Sequence, residues 1–157
     1  ILSQYGHMFA PRPTIVVKEL ERVLKPGGIL AFSTWPKELF MGKFFKLIES
    51  FSQPLSPEVA SPVLWGDMAV IEDRLRDHFD HIEFARDTMF APTMSPAHML
   101  KLFEKNAGPL ANLVKALADD PTKLSNLRDA ALVLIEKFFS NNFLRQDFLM
   151  TRCVKKT

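Results

Sequence analysis

The chain predicts an α/β fold, an open and largely parallel sheet with helices against it. Three observations predict it. Residues 19–35 pass from an apolar helical stripe (Leu20, Val23, Leu24) through Lys25-Pro26-Gly27-Gly28 into the continuously apolar run 29–32. That is a helix, a turn and a strand covered on both faces. Residues 81–90 place Ile82 and Phe84 at alternate positions before polar Arg86, the spacing of a second strand. Ser95-Pro96 and Asp120-Pro121 each pair an N-cap residue with a proline suited to the first helical turn.

The elements follow in order. Residues 1–4 read as the end of a strand and residues 5–13 as a loop that Pro11 and Pro13 keep extended. Thr14 begins a helix to Leu24, where Lys25 favours the C-terminal end, Pro26 stops it and Gly27-Gly28 supply positive φ. The strand 29–34 follows. Leu39, Phe40, Phe44, Leu47, Ile48 and Phe51 carry helical spacing over 38–52. Residues 53–62 are rich in proline and serine and predict an exposed loop. Asp67 caps a helix with Val70, Ile71, Leu75 and Phe79 inward. After the strand 81–90 come helices over 96–106 (stopped by Gly108-Pro109), 110–118 and 121–139, a turn at Ser140-Asn141-Asn142, and a final strand 143–154. The expected order is β–α–β–α–α–β, three helices, β. Residues 1–92 and 143–157 would form the sheet core of one domain, and residues 93–142 a helical insertion.

Composition narrows the function classes. The 157 residues are 47% hydrophobic and 24% charged, enough for a packed core. Twenty basic residues against 18 acidic ones give a net charge of +2, which makes no case for nucleic acid or anionic lipid. Cys153 stands alone, which excludes an internal disulfide and fits an intracellular, cytoplasmic setting. No apolar run reaches the ~20 residues of a membrane span. His78, His81, His98 and Cys153 have no metal-ligand spacing, so no metal site is expected. Fourteen Phe and seven Met point to a phenylalanine-rich core with methionine as filler, or to a soft apolar pocket.

Ligands of open α/β sheets bind beyond the carboxyl ends of the strands. That rule selects loops 3–11 and 33–40. His7 is the one histidine at such an end and is the candidate catalytic base or substrate contact, with a plain loop histidine as the alternative.

The segment Arg22-Val-Leu-Lys-Pro-Gly-Gly28, with the strand after it, resembles the turn before the fifth strand of class I S-adenosylmethionine-dependent methyltransferases. Ser3-Gln4-Tyr5-Gly6-His7 resembles the end of the fourth strand in the ubiquinone/menaquinone C-methyltransferase type, matching at Ser3 and Gly6 and by aromatic character at Tyr5. The resemblance implies the C-terminal half of a Rossmann-like methyltransferase sheet, four strands with the last antiparallel, carrying a three-helix insertion. It implies S-adenosylmethionine as cofactor, with Ser3, Gln4, Tyr5 and Gly6 as cofactor contacts. Met8, Phe9, Phe40 and Trp65 would touch a small, apolar methyl acceptor. No G-x-G-x-G occurs among the six glycines, so the glycine-rich loop that cradles the cofactor and the ribose-binding acid are expected in an N-terminal half that precedes Ile1. The chain alone is then expected to be inactive, and to self-associate or pair with that half through residues 1–5 and the helix face of Ile15 and Val16. The alternative is a truncated, inactive methyltransferase-fold binding or assembly module.

Overall fold

The computed structural model describes residues 1–54, 56 and 59–157; of the loop expected over 53–62, Leu55, Pro57 and Glu58 lie outside the described residues. The chain divides into two compact units: residues 1–37, 55–87 and 147–157 form the first, residues 38–54 and 88–146 the second.

The first unit is built on a sheet. Strand β1 (Leu2–Gln4) pairs in parallel with β2 (Ile29–Thr34), in register Leu2 with Ala31 and Gln4 with Ser33. The last strand, β5 (Phe143–Lys155), runs antiparallel to β2, with Ile29 opposite Val154 and Thr34 opposite Leu149. Strand β3 (Phe79–Pro92) lies beyond β5, so the order is β1-β2-β5-β3. The expected neighbourhood of 29–34 and the final strand, and its antiparallel sense, therefore hold. β2 is covered where it matters: Leu30 and Phe32 are buried, whereas Ile29 at its start is exposed.

Helix α1 (Pro13–Val23) starts one residue before the expected Thr14. Proline at the first position has its φ already set and sacrifices no N–H that the helix would use. Gly27 turns the chain with φ +69°. The C-terminal strand fastens this turn. Gly27 N–H donates to Lys155 O at 3.1 Å, and Lys155 N–H donates to Gly28 O at 2.8 Å. Lys155 Nζ donates to Glu21 O and Leu24 O at 2.7 and 2.9 Å, carbonyls that the end of α1 leaves without helical partners. Lys155→Met should therefore lower stability by about 1–2 kcal/mol. Lys156→Met, which removes an exposed donor to Arg76 O, should cost less than about 0.5 kcal/mol. Urea unfolding of the two variants gives the comparison, and equal midpoints would remove the capping role.

Helix α2 (Phe40–Phe51) belongs to the second unit, whereas α3 (Met68–Leu75) returns to the first. Asp67 caps α3 as expected, accepting from Ala69 N–H at 3.1 Å. The helix stops at Leu75, and Phe79 opens β3 instead of extending the helical face. Phe79 is buried all the same; burial selects for phenylalanine in either element, so its apolarity does not distinguish them.

The second unit is helical: α2 packs with α4 (Pro96–Asn106), α5 (Gly108–Ala116) and α6 (Pro121–Glu136). Its core is a phenylalanine cluster. Phe40 stacks on Phe44 at 5.6 Å between centroids, Phe44 meets Phe103 at 5.0 Å, and Phe40 meets Phe138 edge-on at 5.4 Å. Leu127, Ala131 and Ile135 supply the buried stripe of α6. This is why residues 38–54 group with the helices in the second unit. The apolar stripe of α2 is satisfied by α6 and α5.

Ser95 and Asp120 cap α4 and α6, accepting from His98 N–H at 3.1 Å and Lys123 N–H at 2.9 Å. Gly108-Pro109, expected as a stop, instead opens α5, because proline in the first turn starts a helix as readily as it ends one. α6 ends before Phe139, which with Ser140 forms the short strand β4 against Phe143 and Leu144. Asn141 and Asn142 sit at φ 48° and 62° between the paired residues, the positive angles a two-residue hairpin turn requires. No described helix is long and apolar enough to cross a membrane.

Candidate functional site

The carboxyl ends of β1 and β2 lie side by side, because the two strands are parallel and adjacent. Tyr5 leaves β1 with φ +57°, an angle that costs a non-glycine residue about 1 kcal/mol or more. Two contacts hold it there. Its N–H donates to Ser33 O at 3.1 Å, and its ring stacks on Trp35 at 3.9 Å with 8° between planes. Such stacking contributes about 0.5–1.5 kcal/mol beyond burial. Burial also raises the pKa of the Tyr5 hydroxyl above 10.0.

The left-handed step at Tyr5 turns the chain into a single 3-10 turn, His7–Phe9. That turn brings His7 back over β1. Ser3 Oγ lies 3.0 Å from His7 Nδ1 and accepts from His7 N–H at 3.3 Å. The Ser3 hydroxyl has a second lone pair and a proton to spare, so the Ser3–His7 Nδ1 hydrogen bond forms with either group as donor, according to the imidazole tautomer. The ring is caged edge-on by Phe32 at 4.4 Å and Trp65 at 4.6 Å. Burial, with a smaller push from the Arg74 cation, lowers the His7 pKa to about 4. The imidazole is therefore neutral around pH 7.

Trp65 belongs to a second 3-10 turn, Pro62–Gly66, which packs on β2, on α3 and on the turn of His7. The Arg74 guanidinium of α3 lies over its ring at 4.5 Å. Desolvation lowers the pKa of Arg74, and its Nη1 is buried without a hydrogen-bond partner among the described residues, as is His7 Nε2. Gly66 makes this packing possible. A Cβ there would come within 1.9 Å of Trp35 O and 2.7 Å of Pro36 Cα. The next residue, Asp67, takes a hydrogen bond from Lys37, which holds its carboxyl below the usual range. The end of β2 and the start of α3 are thereby joined by main-chain contact and by an ion pair.

Of the residues singled out in the sequence, the structure brings Ser3, Gln4, Tyr5, Gly6, His7, Met8, Phe9 and Trp65 into the first unit. Gln4 and Gly6 are exposed and Ser3 is half-buried. Phe9 is 46% exposed, but Met8 and Trp65 are 1% exposed. Met8 and Trp65 are thus core residues of the first unit. Phe40 lies in the second unit, 0% exposed within the phenylalanine cluster, and that packing accounts for it. As a base His7 is handicapped twice: a pKa of about 4 leaves little drive to take a proton near neutrality, and Nε2 is occluded. Sequence reasoning gave no role to Trp35 or Arg74. Trp35 lies in the loop 33–40 that the strand-end rule selects, without being singled out there. Arg74 carried no signal, since a cation on an amphipathic helix ordinarily reads as its solvated face. Among the described residues, no group of three or more His, Cys, Asp or Glu could hold a metal ion.

No protein-family model matches the chain. It is similar to two uncharacterized proteins of Mycobacterium tuberculosis H37Rv. One is 26% identical over 151 residues, covering 96% of this chain and 55% of the relative. The other is 24% identical over 157 residues, covering 99% of this chain and 57% of the relative. The chain thus spans about half the length of these curated relatives. Among solved structures, it is similar to a candidate methyltransferase of Bacillus halodurans C-125, with a TM-score of 0.49, 13% identity, and coverage of 99% of this chain and 63% of that one. The MccD protein scores 0.48 at 12% identity, with coverage of 99% and 60%. The chain itself is a mixed α/β protein in which β1, β2, β5 and β3 are consecutive neighbours in a sheet.

Proposed function

We propose that this chain is the acceptor-side part of an S-adenosylmethionine-dependent methyltransferase acting on a small, apolar molecule. The observation that carries the reading is the strand order β1-β2-β5-β3, with β5 antiparallel beside β2. This is the placement that the resemblance at residues 22–28 and 3–7 implies for the last strand. The polar and aromatic residues Ser3, Gln4, Tyr5 and Trp35 then stand at the carboxyl ends, where such sheets take ligands.

The residues present fit one end of the cofactor. Exposed Gln4 and the main chain of Gly6 suit the amino-acid portion, and the Tyr5–Trp35 stack supplies a rigid apolar wall beside it. The groups that would hold the adenosine and ribose are not among these residues. When bound, S-adenosylmethionine supplies a methyl group on a sulfonium, and transfer removes charge from the donor, so alignment and exclusion of water are the protein's main contributions. Tyr5 and Trp35 exclude water. Neutral His7 acts as a positioning residue, tying the turn after β1 back to Ser3. Half-exposed Phe9 offers apolar surface to the acceptor.

Because only one end of the cofactor is contacted, affinity for the 157-residue chain is expected in the millimolar range or weaker, about −4 kcal/mol. Amide chemical shifts suit that regime. S-adenosylmethionine at about 5 mM should move the amides of Ser3, Gln4, Tyr5, Gly6 and Trp35 while leaving α4 and α6 in place. No movement at residues 3–6 would remove the reading. It would favour a non-catalytic binding module instead, for which the enclosure of His7, Met8 and Trp65 is the supporting observation.

A further inference from the structure

The helical unit holds a groove that its own packing leaves open. α5 and its C-cap residue present Asn112, Leu113, Ala116 and Leu117 to it, a spacing of one, three and one residues that marks a single face of a helix. Phe51 at the end of α2 and Lys123 in the first turn of α6 stand along its other sides. The cavity measures about 300 Å³, the lower end of the range for small-ligand sites. Leu113 and Leu117 are each 7% exposed and form the floor, whereas Asn112 and Ala116 are exposed at its mouth.

The charge in this groove is one-sided. Among the described residues, Lys123 is the one charged residue of the lining. Its main-chain N–H is taken by Asp120 Oδ1 at 2.9 Å. Its half-buried side chain has no carboxylate partner among the described residues. The same residue sits in the N-terminal turn of a 16-residue helix, where the helix dipole adds positive potential. A trough with an apolar floor, polar Ser52, Gln53 and Asn112 along it and a single ammonium among its described lining favours a ligand with an apolar body and one negative charge. A cation would meet like charge, and a neutral molecule would leave the ammonium unpaired. The volume is far below what a folded protein partner would need.

We propose that this groove binds a small amphipathic monoanion, a medium-chain carboxylic acid. Its carboxylate pairs with Lys123 Nζ, the Asn112 amide gives a second polar contact, and the alkyl chain lies over Leu113, Leu117 and Phe51. The site is contained in the helical unit and does not rest on the methyl-transfer reading.

Octanoate is the probe, titrated into the whole 157-residue chain and followed by amide chemical shifts. Saturable shifts are expected along α5 and at Lys123. Lys123→Gln should weaken binding at least about tenfold, the worth of a charge-assisted contact. Ala116→Trp, which fills the mouth of the groove from an exposed position, should abolish binding while circular dichroism shows the helices intact. Octylammonium should not bind saturably. If Ala116→Trp fails to fold, the Lys123→Gln and octylammonium comparisons decide alone. Absence of saturable binding at about 10 mM octanoate, undiminished binding in Lys123→Gln, or equal binding of octylammonium would each overturn the proposal.

Discussion

Gly66→Ala should destabilise the first unit by at least about 4 kcal/mol, enough to keep much of the protein from folding. A Cβ at this position would lie 1.9 Å from Trp35 O, 2.5 Å from Trp35 C and 2.7 Å from Pro36 Cα. All three are main-chain atoms, so no rotamer change can relieve the contact. The turn Pro62–Gly66 would have to lift from the end of β2. Lifting it would withdraw Trp65 from His7 and Phe32, whose rings it meets at 4.6 and 5.8 Å. It would also part Lys37 from Asp67. Gly6→Ala is the control. That glycine has an ordinary helical φ of −74°, and a Cβ there meets only Ser3 Oγ, at 3.7 Å, so a change within about 1 kcal/mol is expected. Urea unfolding followed by tryptophan fluorescence measures both. A Gly66→Ala protein with the parent midpoint would mean that this close approach is absent in solution.

Two features were legible in the sequence for different reasons. The strand Ile29–Thr34 was bounded by Pro26-Gly27-Gly28 on one side and Trp35-Pro36 on the other, and punctuation of that strength leaves little freedom in where a strand begins and ends. The turn at Asn141-Asn142 was legible because only a few residue types tolerate positive φ, but its setting in a hairpin was not, since the helix before it was expected to run to about Phe139. The allegiance of α2 was not legible. Periodicity states that Phe40, Phe44 and Ile48 share a face; it does not state which neighbour that face meets. The neighbour proved to be α6 and α5, roughly 60–90 residues further along the chain.

The candidate site divides in the same way. The strand-end rule located Ser3 to His7 and their position at the carboxyl end of β1. It could not report that Met8 and Trp65 would be enclosed, because enclosure depends on the turn Pro62–Gly66 arriving from a distant segment. Nor could it foresee the cation of Arg74 over Trp65 at 4.5 Å. The histidine that looked like a reactive group in a loop is held in an aromatic cage, and the cage, not the loop, sets its chemistry.

That cage makes the stability of the protein depend on pH through His7. In the unfolded chain the imidazole titrates near 6.5, and in the folded chain burial and Arg74 bring it down to about 4. Between those values the unfolded chain takes up a proton that the folded chain refuses. The stabilisation is therefore complete above pH 6.5, declines as pH falls towards 4, and changes no further below that through this group. Its size is about 3 kcal/mol, on the order of the whole margin of a small domain. Carboxylates titrate in the lower part of the same window, so the effect is read as a difference between two proteins. His7→Phe keeps an aromatic ring between Phe32 and Trp65 but cannot take up a proton, and it gives up only the contact with Ser3. Stability from urea unfolding, measured at intervals from pH 7.5 to 4, should fall more steeply for the parent than for His7→Phe. The parent-minus-variant difference should shift by about 3 kcal/mol in the variant's favour across the range. At pH 7.5 the variant should lie within about 2 kcal/mol of the parent, since the lost hydrogen bond is offset by removal of the unpartnered Nε2. Parallel curves would place His7 in water in both states and would dissolve the cage of Phe32, Trp65 and Arg74 as an account of the site.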